Sequence, residues 1–497
     1  LEVQEPSKKQ HAIPGFLRFV EQTVSWLYEG AHAMLEMLFS KRFLAAGGLR
    51  RKKMNRLSLY PQAEKKRQRA VFNHLILHLH PSMVPEKALR FTHTWGLGGM
   101  AVVLVMLLVL TGVLLKFVYE PFPGKAYDSI ITLQKDVLFG PLVRNIHHWS
   151  ANLLVIVAFL HMLRVFFTGA FHPQRRFNWI LGLGLFFIVL VSNFTGYLLP
   201  WDQLSFWAIT ICTGMVEYIP LLGPWLQKMI RGGAEVGPAT ISIFYTLHTA
   251  IMPACIFILM AFHFWRVRKD GGVVIPRYPE ETLAAKEETG RKYVSTIPNL
   301  VLRELVVALV LVAVVLVFST LFSAPLQEKA NPGLSPNPAK APWYFMGFQE
   351  LLLHFHPVAA ILIIPLLAAA ALIGLSYLKY DARSSGVWFQ SQKGRRMGIF
   401  AALTALVITP LGVIADEYFI DFAAWLPGVP SIISTGLLPL IIVAASVTGF
   451  YQLVRKRYAA SNNEAIQAVF IFLLVSFIIL TIIGVWFRGT GMVLKWP

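Results

Sequence analysis

Nine runs dominated by apolar side chains, at about 94–118, 146–168, 179–199, 243–266, 301–323, 357–378, 398–415, 433–453 and 466–487, govern what this chain can fold into. Each is near the ~20 residues a helix needs to cross a bilayer. Inside hydrocarbon every backbone N–H and C=O must be satisfied by the chain itself, which leaves helices or a closed barrel. Strict apolar–polar alternation is absent, so a barrel is disfavoured. The expected fold is an all-α integral membrane protein with about nine transmembrane helices.

Sidedness follows from the basic residues. If the nine runs alternate in direction, 35 of the 45 Lys and Arg fall on the side of the N-terminus and 10 on the other, whereas the 26 acidic residues split 15 to 11. A Lys/Arg bias without a matching acidic bias is the signature of cytoplasmic loops, so the N-terminus is expected in the cytoplasm. The net charge of +19 is then a topological signal, and clusters such as Arg50–Lys53 and Lys65–Arg69 suit anionic headgroups. No nucleic-acid partner is expected. The two cysteines, Cys212 and Cys255, form no CxxCH or CxxC motif, so any c-type heme or iron–sulfur cluster must belong to a partner.

Within the second and fourth runs stand two pairs of histidines. His147 and His161 are 14 apart, His248 and His263 are 15 apart. At about 1.5 Å and 100° per residue both intervals approach four helical turns, so the imidazoles of each helix face roughly one way, about 21 to 23 Å apart. Two such helices side by side can hold two stacked hemes by axial ligation, and a polar ring at membrane depth is costly unless something binds it. Gly98 and Gly112 in the first run, and Gly182 and Gly196 in the third, repeat the 14-residue interval. They are read as clearance where a flat macrocycle approaches the backbone. Arg144 and Arg164, three residues outside either end of the His147–His161 pair, are candidates for pairing heme propionates.

The stretches NIHHWSANLLVIVAFLHMLRVFFTGAF, GYLLPWDQLSFWAITICTG and FYTLHTAIMPACIFILMAFHFWRVRKDG resemble the cytochrome b subunit of quinol:cytochrome c oxidoreductases, the cytochrome bc1/b6f family, over about residues 90 to 380. The 15-residue second interval is similar to the b6 type and many bacterial forms. The resemblance implies a four-helix bundle with two b-type hemes. His147 with His248 would hold the outer heme iron, and His161 with His263 the inner one.

The stretch PAKAPWYFMGFQELL resembles the family's quinol-oxidation motif, usually Pro-Glu-Trp-Tyr, which implies that Trp343 and Tyr344 line a quinol pocket. Pro342 stands where the family has its proton-accepting Glu, and it has no titratable group. Glu350 is the first candidate for that role and Asp202 the second. The missing Glu leans the reading toward menaquinol. At the inner face, Gly96 stands at the position of the b6-type Cys, so no thioether-bound heme is expected there. A non-thioether-bound heme and a quinone both remain open.

Five domains are expected: a cytoplasmic amphipathic extension (1–92), the diheme four-helix bundle (93–270), a cytoplasmic linker (271–300), a quinol-site region resembling subunit IV (301–380), and additional C-terminal helices (381–497). About five transmembrane helices thus follow the bundle. In the extension, residues 16–40 place apolar side chains at helical spacing, His74, His78 and His80 read as a solvated interfacial face, and the apolar core of a signal peptide is lacking.

The resemblance implies bifurcated oxidation of quinol from the quinone pool. One electron goes to a Rieske iron–sulfur protein and on to a c-type cytochrome, and the other crosses through the b hemes with proton translocation. The setting would be a homodimeric complex in the bacterial cytoplasmic (inner) membrane. A diheme anchor of a quinone-linked dehydrogenase and a histidine-relay transporter are the alternatives.

Overall fold

The computed structural model describes residues 80–171, 174–274, 292–378 and 386–495. The amphipathic segment 16–40, His74, His78 and most of the 271–300 linker therefore lie outside the described residues. His80 lies inside them, and its Nε2 sits 3.5 Å from a Glu304 carboxylate oxygen.

Thirteen helices organise the description: α1 (Leu97–Lys116), α2 (Ala126–Lys135), α3 (Gly140–Phe167), α4 (Arg176–Tyr197), α5 (Gln203–Met215), α6 (Gly223–Arg231), α7 (Pro238–Lys269), α8 (Thr296–Leu321), α9 (Met346–His354), α10 (Ala359–Leu375), α11 (Gln392–Tyr418), α12 (Ile432–Tyr458) and α13 (Asn462–Trp486). Eight of them, α1, α3, α4, α7, α8, α11, α12 and α13, are long and apolar enough to cross a membrane. The ninth expected span corresponds to α10, a shorter apolar helix. A two-stranded antiparallel pair, Met83–Pro85 with Tyr293–Ser295, ties the entry to α1 to the entry to α8. Among the described residues the protein is all-α apart from such short pieces.

Large apolar side chains such as Leu110, Phe187, Leu309, Leu403 and Val407 stand exposed on these helices, as they do where the solvent is lipid. Inside, Leu104, Leu154, Val189, Ile256 and Leu311 join α1, α3, α4, α7 and α8 in one apolar cluster. A second cluster, with Phe166, Phe171, Trp179, Met397, Val454 and Ala468, joins the ends of α3 and α4 to α11, α12 and α13. The C-terminal helices therefore share a core with α3 and α4.

Three helices contain a wide turn: 247–251 inside α7, 359–363 at the start of α10 and 432–437 at the start of α12. Each is followed at once by a proline near the start of the regular helix: Pro253, Pro365 and Pro439. Proline donates no N–H and its ring crowds the carbonyl four residues earlier, and a π-turn relieves both problems by inserting one residue.

Candidate functional site

Helix α3 packs on α1, α4 and α8, and α7 packs on α4. α3 and α7 face each other through their imidazoles. The ring centroids of His147 and His248 are 6.0 Å apart, and those of His161 and His263 are 6.4 Å apart. All four rings thus pair across the bundle at two levels, in the pairing expected. Metal–imidazole bonds of about 2 Å on each side, plus half a ring width each, place centroids roughly 6 Å apart when two histidines share one metal. Both pairs meet that spacing. No cluster of three or more His, Cys, Asp or Glu suited to a metal occurs among the described residues. What they offer is two bis-imidazole sites, which suits an iron whose remaining ligands come from a macrocycle.

The unequal histidine intervals have a structural cause. His147 and His161 lie on a continuous α-helix, whereas His248 lies in the π-turn ahead of Pro253. The turn absorbs one extra residue, so 15 residues on α7 span what 14 span on α3.

Each glycine accompanies one histidine. A Cβ on Gly98 would meet His161 Cε1 at 3.4 Å, one on Gly112 would meet His147 at 3.2 Å, one on Gly182 would meet His263 at 3.7 Å, and one on Gly196 would meet His248 at 2.5 Å. The space these glycines leave is occupied by the edge of an imidazole ring of the neighbouring helix. The expected clearance for a macrocycle is thus joined by a second constraint, the imidazole edge that each glycine faces.

Hydrogen bonds orient two of the rings. Thr111 Oγ1 lies 2.9 Å from His147 Nδ1 while donating to the Leu107 carbonyl at 2.6 Å, which leaves it to accept from the imidazole. The Ser192 carbonyl lies 2.9 Å from His248 Nδ1. With Nδ1 engaged as a donor, Nε2 is the free ligand atom. Neither partner was found from sequence, although Thr111 immediately precedes Gly112. His263 Nδ1 is buried with no hydrogen-bond partner among the described residues.

The two arginines divide. Arg144 donates to the Ala324 and Pro325 carbonyls at 2.8 and 2.7 Å, and Asn145 and Trp149 bind the Ser319 and Phe322 carbonyls. It therefore serves in this structure to seat the chain leaving α8, a partner that sequence spacing could not reveal. Arg164 donates through Nε to the His93 carbonyl at 3.0 Å, and one terminal nitrogen is buried without a partner among the described residues. An unsatisfied buried guanidinium nitrogen near His161 fits an acidic group supplied by a ligand.

Trp343 and Tyr344 begin a 3-10 turn ahead of α9. Trp343 Nε1 donates to Asn152 Oδ1 at 2.7 Å, so the indole rests on α3 between its two histidines in sequence. Asn152 was not anticipated. Phe345 packs edge-on against Phe194, two residues before Gly196, which sets the turn at the His147–His248 end. Tyr344 lies near Tyr197 and Cys212, and burial pushes its phenol above the usual range, leaving a neutral hydroxyl.

Asp202 has both carboxylate oxygens committed to backbone donors: Ser205 N at 2.9 Å, which caps α5, and Gln327 N at 2.9 Å. This accounts for Asp202 as a structural cap. Glu350 is fully buried and ion-paired with Arg488, whose Nη2 reaches Oε1 at 2.5 Å. Burial alone would raise its pKa, but hydrogen bonds from His354 and Arg488 outweigh that and hold the carboxyl below its ordinary value.

The site is thus two histidine pairs at two levels inside a bundle of apolar helices, each spaced as two ligands of one metal would be. The comparisons name the class. The Cytochrome b/b6/petB family matches residues 83–271. Cytochrome b6 of Prochlorothrix hollandica is 43% identical over 175 residues, covering 35% of this chain and 79% of that protein. Cytochrome b6 of Heliomicrobium gestii is 42% identical over 192 residues, 39% of this chain and 88% of the relative. A chain of a solved structure titled "Hyperthermophilic respiratory Complex III" shares the fold with a TM-score of 0.55 at 23% identity, over 78% of this chain and 91% of that one. The chain belongs to the cytochrome b/b6 family, a family of heme-binding, electron-transporting membrane proteins.

Proposed function

We propose that this chain is the diheme cytochrome b of a quinol-oxidising complex with a Rieske iron–sulfur protein and a c-type cytochrome. The paired imidazoles at 6.0 and 6.4 Å carry the reading. His147 and His248 would hold one b-type heme near the outer face, and His161 and His263 a second near the cytoplasmic face, with Arg164 facing acidic substituents of the inner one. Bound there, the hemes supply one-electron carriers at two depths of the membrane. The protein fixes their spacing by helix rise, seats the imidazoles against glycines, and sets the ring tautomers through Thr111 and the Ser192 carbonyl.

Quinol, with menaquinol the favoured class because Pro342 replaces the acidic motif residue, would bind at Trp343 and Tyr344. There the neutral Tyr344 hydroxyl can orient a quinol oxygen. The Lys/Arg distribution supports a cytoplasmic N-terminus in a bacterial inner membrane. A homodimeric complex and a 93–270 bundle followed by a 301–380 quinol region complete the proposal.

The test is His147→Ala in the purified complex. The expected result is one b heme per chain instead of two and loss of quinol-driven heme reduction. Retention of both b-heme absorption signals would defeat the assignment.

A further inference from the structure

Beyond the family match, which ends at residue 271, α9, α11 and the segment after α13 bring five charged or titratable side chains together: Glu350, His354, Asp416, Glu417 and Arg488. They form a graded line from buried to wet. Glu350 is fully buried, the His354 side chain is 9% exposed, and the Asp416 side chain is 33% exposed. The imidazole spans the two carboxylates, with Nε2 at 3.3 Å from Glu350 Oε1 and Nδ1 at 2.6 Å from Asp416 Oδ2. Arg488 donates Nε to both Glu350 oxygens at 3.1 Å and Nη1 to Glu417 at 2.9 Å.

The inner end of this line belongs to the helix that starts at the Trp343–Tyr344 turn. Six residues of helix place Glu350 roughly 9 Å along from Tyr344. The same turn is clamped from the C-terminal side. Lys340 Nζ donates to the Val485 carbonyl at 2.8 Å, Gly491 N donates to Asn337 Oδ1, and a Cβ at Gly347 or Gly484 would collide with the facing helix. Burying a carboxylate, an imidazole and a guanidinium together is costly, and a hydrophobic contact would hold two helices at least as well. A structural latch leaves that choice unexplained. A path for charge does not.

We propose that Glu350, His354 and Asp416 form a proton outlet leading from the Tyr344 side of the quinol pocket to water, with Arg488 the positioning residue that holds Glu350 in line. The proposal rests on the quinol-oxidation reading above. A proton leaving the bound quinol is taken by Glu350. His354 gives its Nδ1 proton to Asp416, which releases it to water. The neutral ring then turns its unprotonated nitrogen to Glu350 and takes up the new proton. One proton enters, one leaves, and no electron moves along the line.

Glu350 is a transient carrier in this scheme, because the Arg488 pair keeps its carboxyl acidic, and His354 is the group that stores charge. Burial works to lower the His354 pKa, but the hydrogen bonds to Asp416 and Glu350 prevail and raise it to about 9. The ring faces Glu350 on its own helix, Asp416 from α11, and Arg488 from beyond α13, and the surplus of carboxylates favours its charged form.

The test is His354→Gln and Asp416→Asn in the whole complex, with a reduced short-chain naphthoquinol as donor. General acid–base groups contribute about 100-fold or more, so His354→Gln should slow quinol oxidation by that order at unchanged KM. Both hemes should remain reducible by dithionite, and added imidazole should restore part of the rate. Asp416→Asn should slow it about tenfold and Asp416→Glu should recover it. Wild-type rate and pH profile in either His354→Gln or Asp416→Asn would overturn the outlet. If His354→Gln does not assemble, Asp416→Asn, at the wetter end, decides alone. Wild-type protein whose hemes accept electrons from dithionite but never from quinol would instead overturn the quinol-oxidation reading, and the outlet with it.

Discussion

Alanine at Gly196 and at Gly98 should have opposite consequences, although the two glycines stand at equivalent places in the bundle. A Cβ at Gly196 would lie 2.5 Å from His248 Cε1, 2.8 Å from Nδ1 and 3.1 Å from Nε2. Carbon atoms settle no closer than about 3.5 Å, so the ring must retreat by about 1 Å. Metal–ligand distances tolerate only about 0.2 Å. The ring also cannot turn freely without losing its hydrogen bond to the Ser192 carbonyl. A Cβ at Gly98 would meet His161 at 3.4 Å, close to ordinary contact, and asks for a shift of about a tenth of an ångström. Gly196→Ala should therefore lose the heme proposed at His147 and His248, reading as a fall from the two hemes of the proposal to one per chain by pyridine hemochrome assay. The surviving α-band should belong to the other site. Gly98→Ala should keep two hemes with spectra nearly unchanged. Two hemes in Gly196→Ala, or greater loss in Gly98→Ala, would refute the packing of ring against glycine.

Two further outcomes follow from the hydrogen bonds. Thr111→Val removes the acceptor from His147 Nδ1, making the imidazole a poorer donor and favouring reduced iron; a net hydrogen bond of about 1 kcal/mol corresponds to roughly 40 mV. The midpoint potential of the heme proposed at His147 should rise by that order in a redox titration, and a fall or no change would contradict the bond. His354, with its pKa raised from 6.5 to about 9, contributes stability that is fully present below pH 6.5 and is lost as the pH rises through about 9. The thermal transition of the detergent-solubilised protein should fall over that window by an amount equivalent to at most a few kcal/mol, and His354→Gln should remove this dependence. A wild-type transition that is flat between pH 6.5 and 9.5 would contradict the charged ring.

The spans, the all-α class and the face-to-face histidines were legible because helix periodicity and bilayer thickness leave few solutions for long apolar runs. The same periodicity could not show that α10 stops at Leu375, inside its apolar run. Nor could it show why His248 and His263 stand one residue further apart than their counterparts. Local spacing found the glycines but not the imidazole edge that each one faces, because that ring comes from another helix. Partners distant in sequence were beyond reach for the same reason. Arg144 reaches carbonyls 180 residues away, and Glu350 meets an arginine 138 residues on. The charge cluster at α9 was visible only as Glu350, since the helices that complete it have no motif of their own.

Heme iron counted per chain in the purified wild-type protein, together with low-temperature electron paramagnetic resonance of the oxidised form, tests the two-site reading most directly. The proposed diheme reading of the two pairs predicts two irons per chain, each low-spin with two imidazole ligands. One iron per chain, or a high-spin signal from either site, would contradict it.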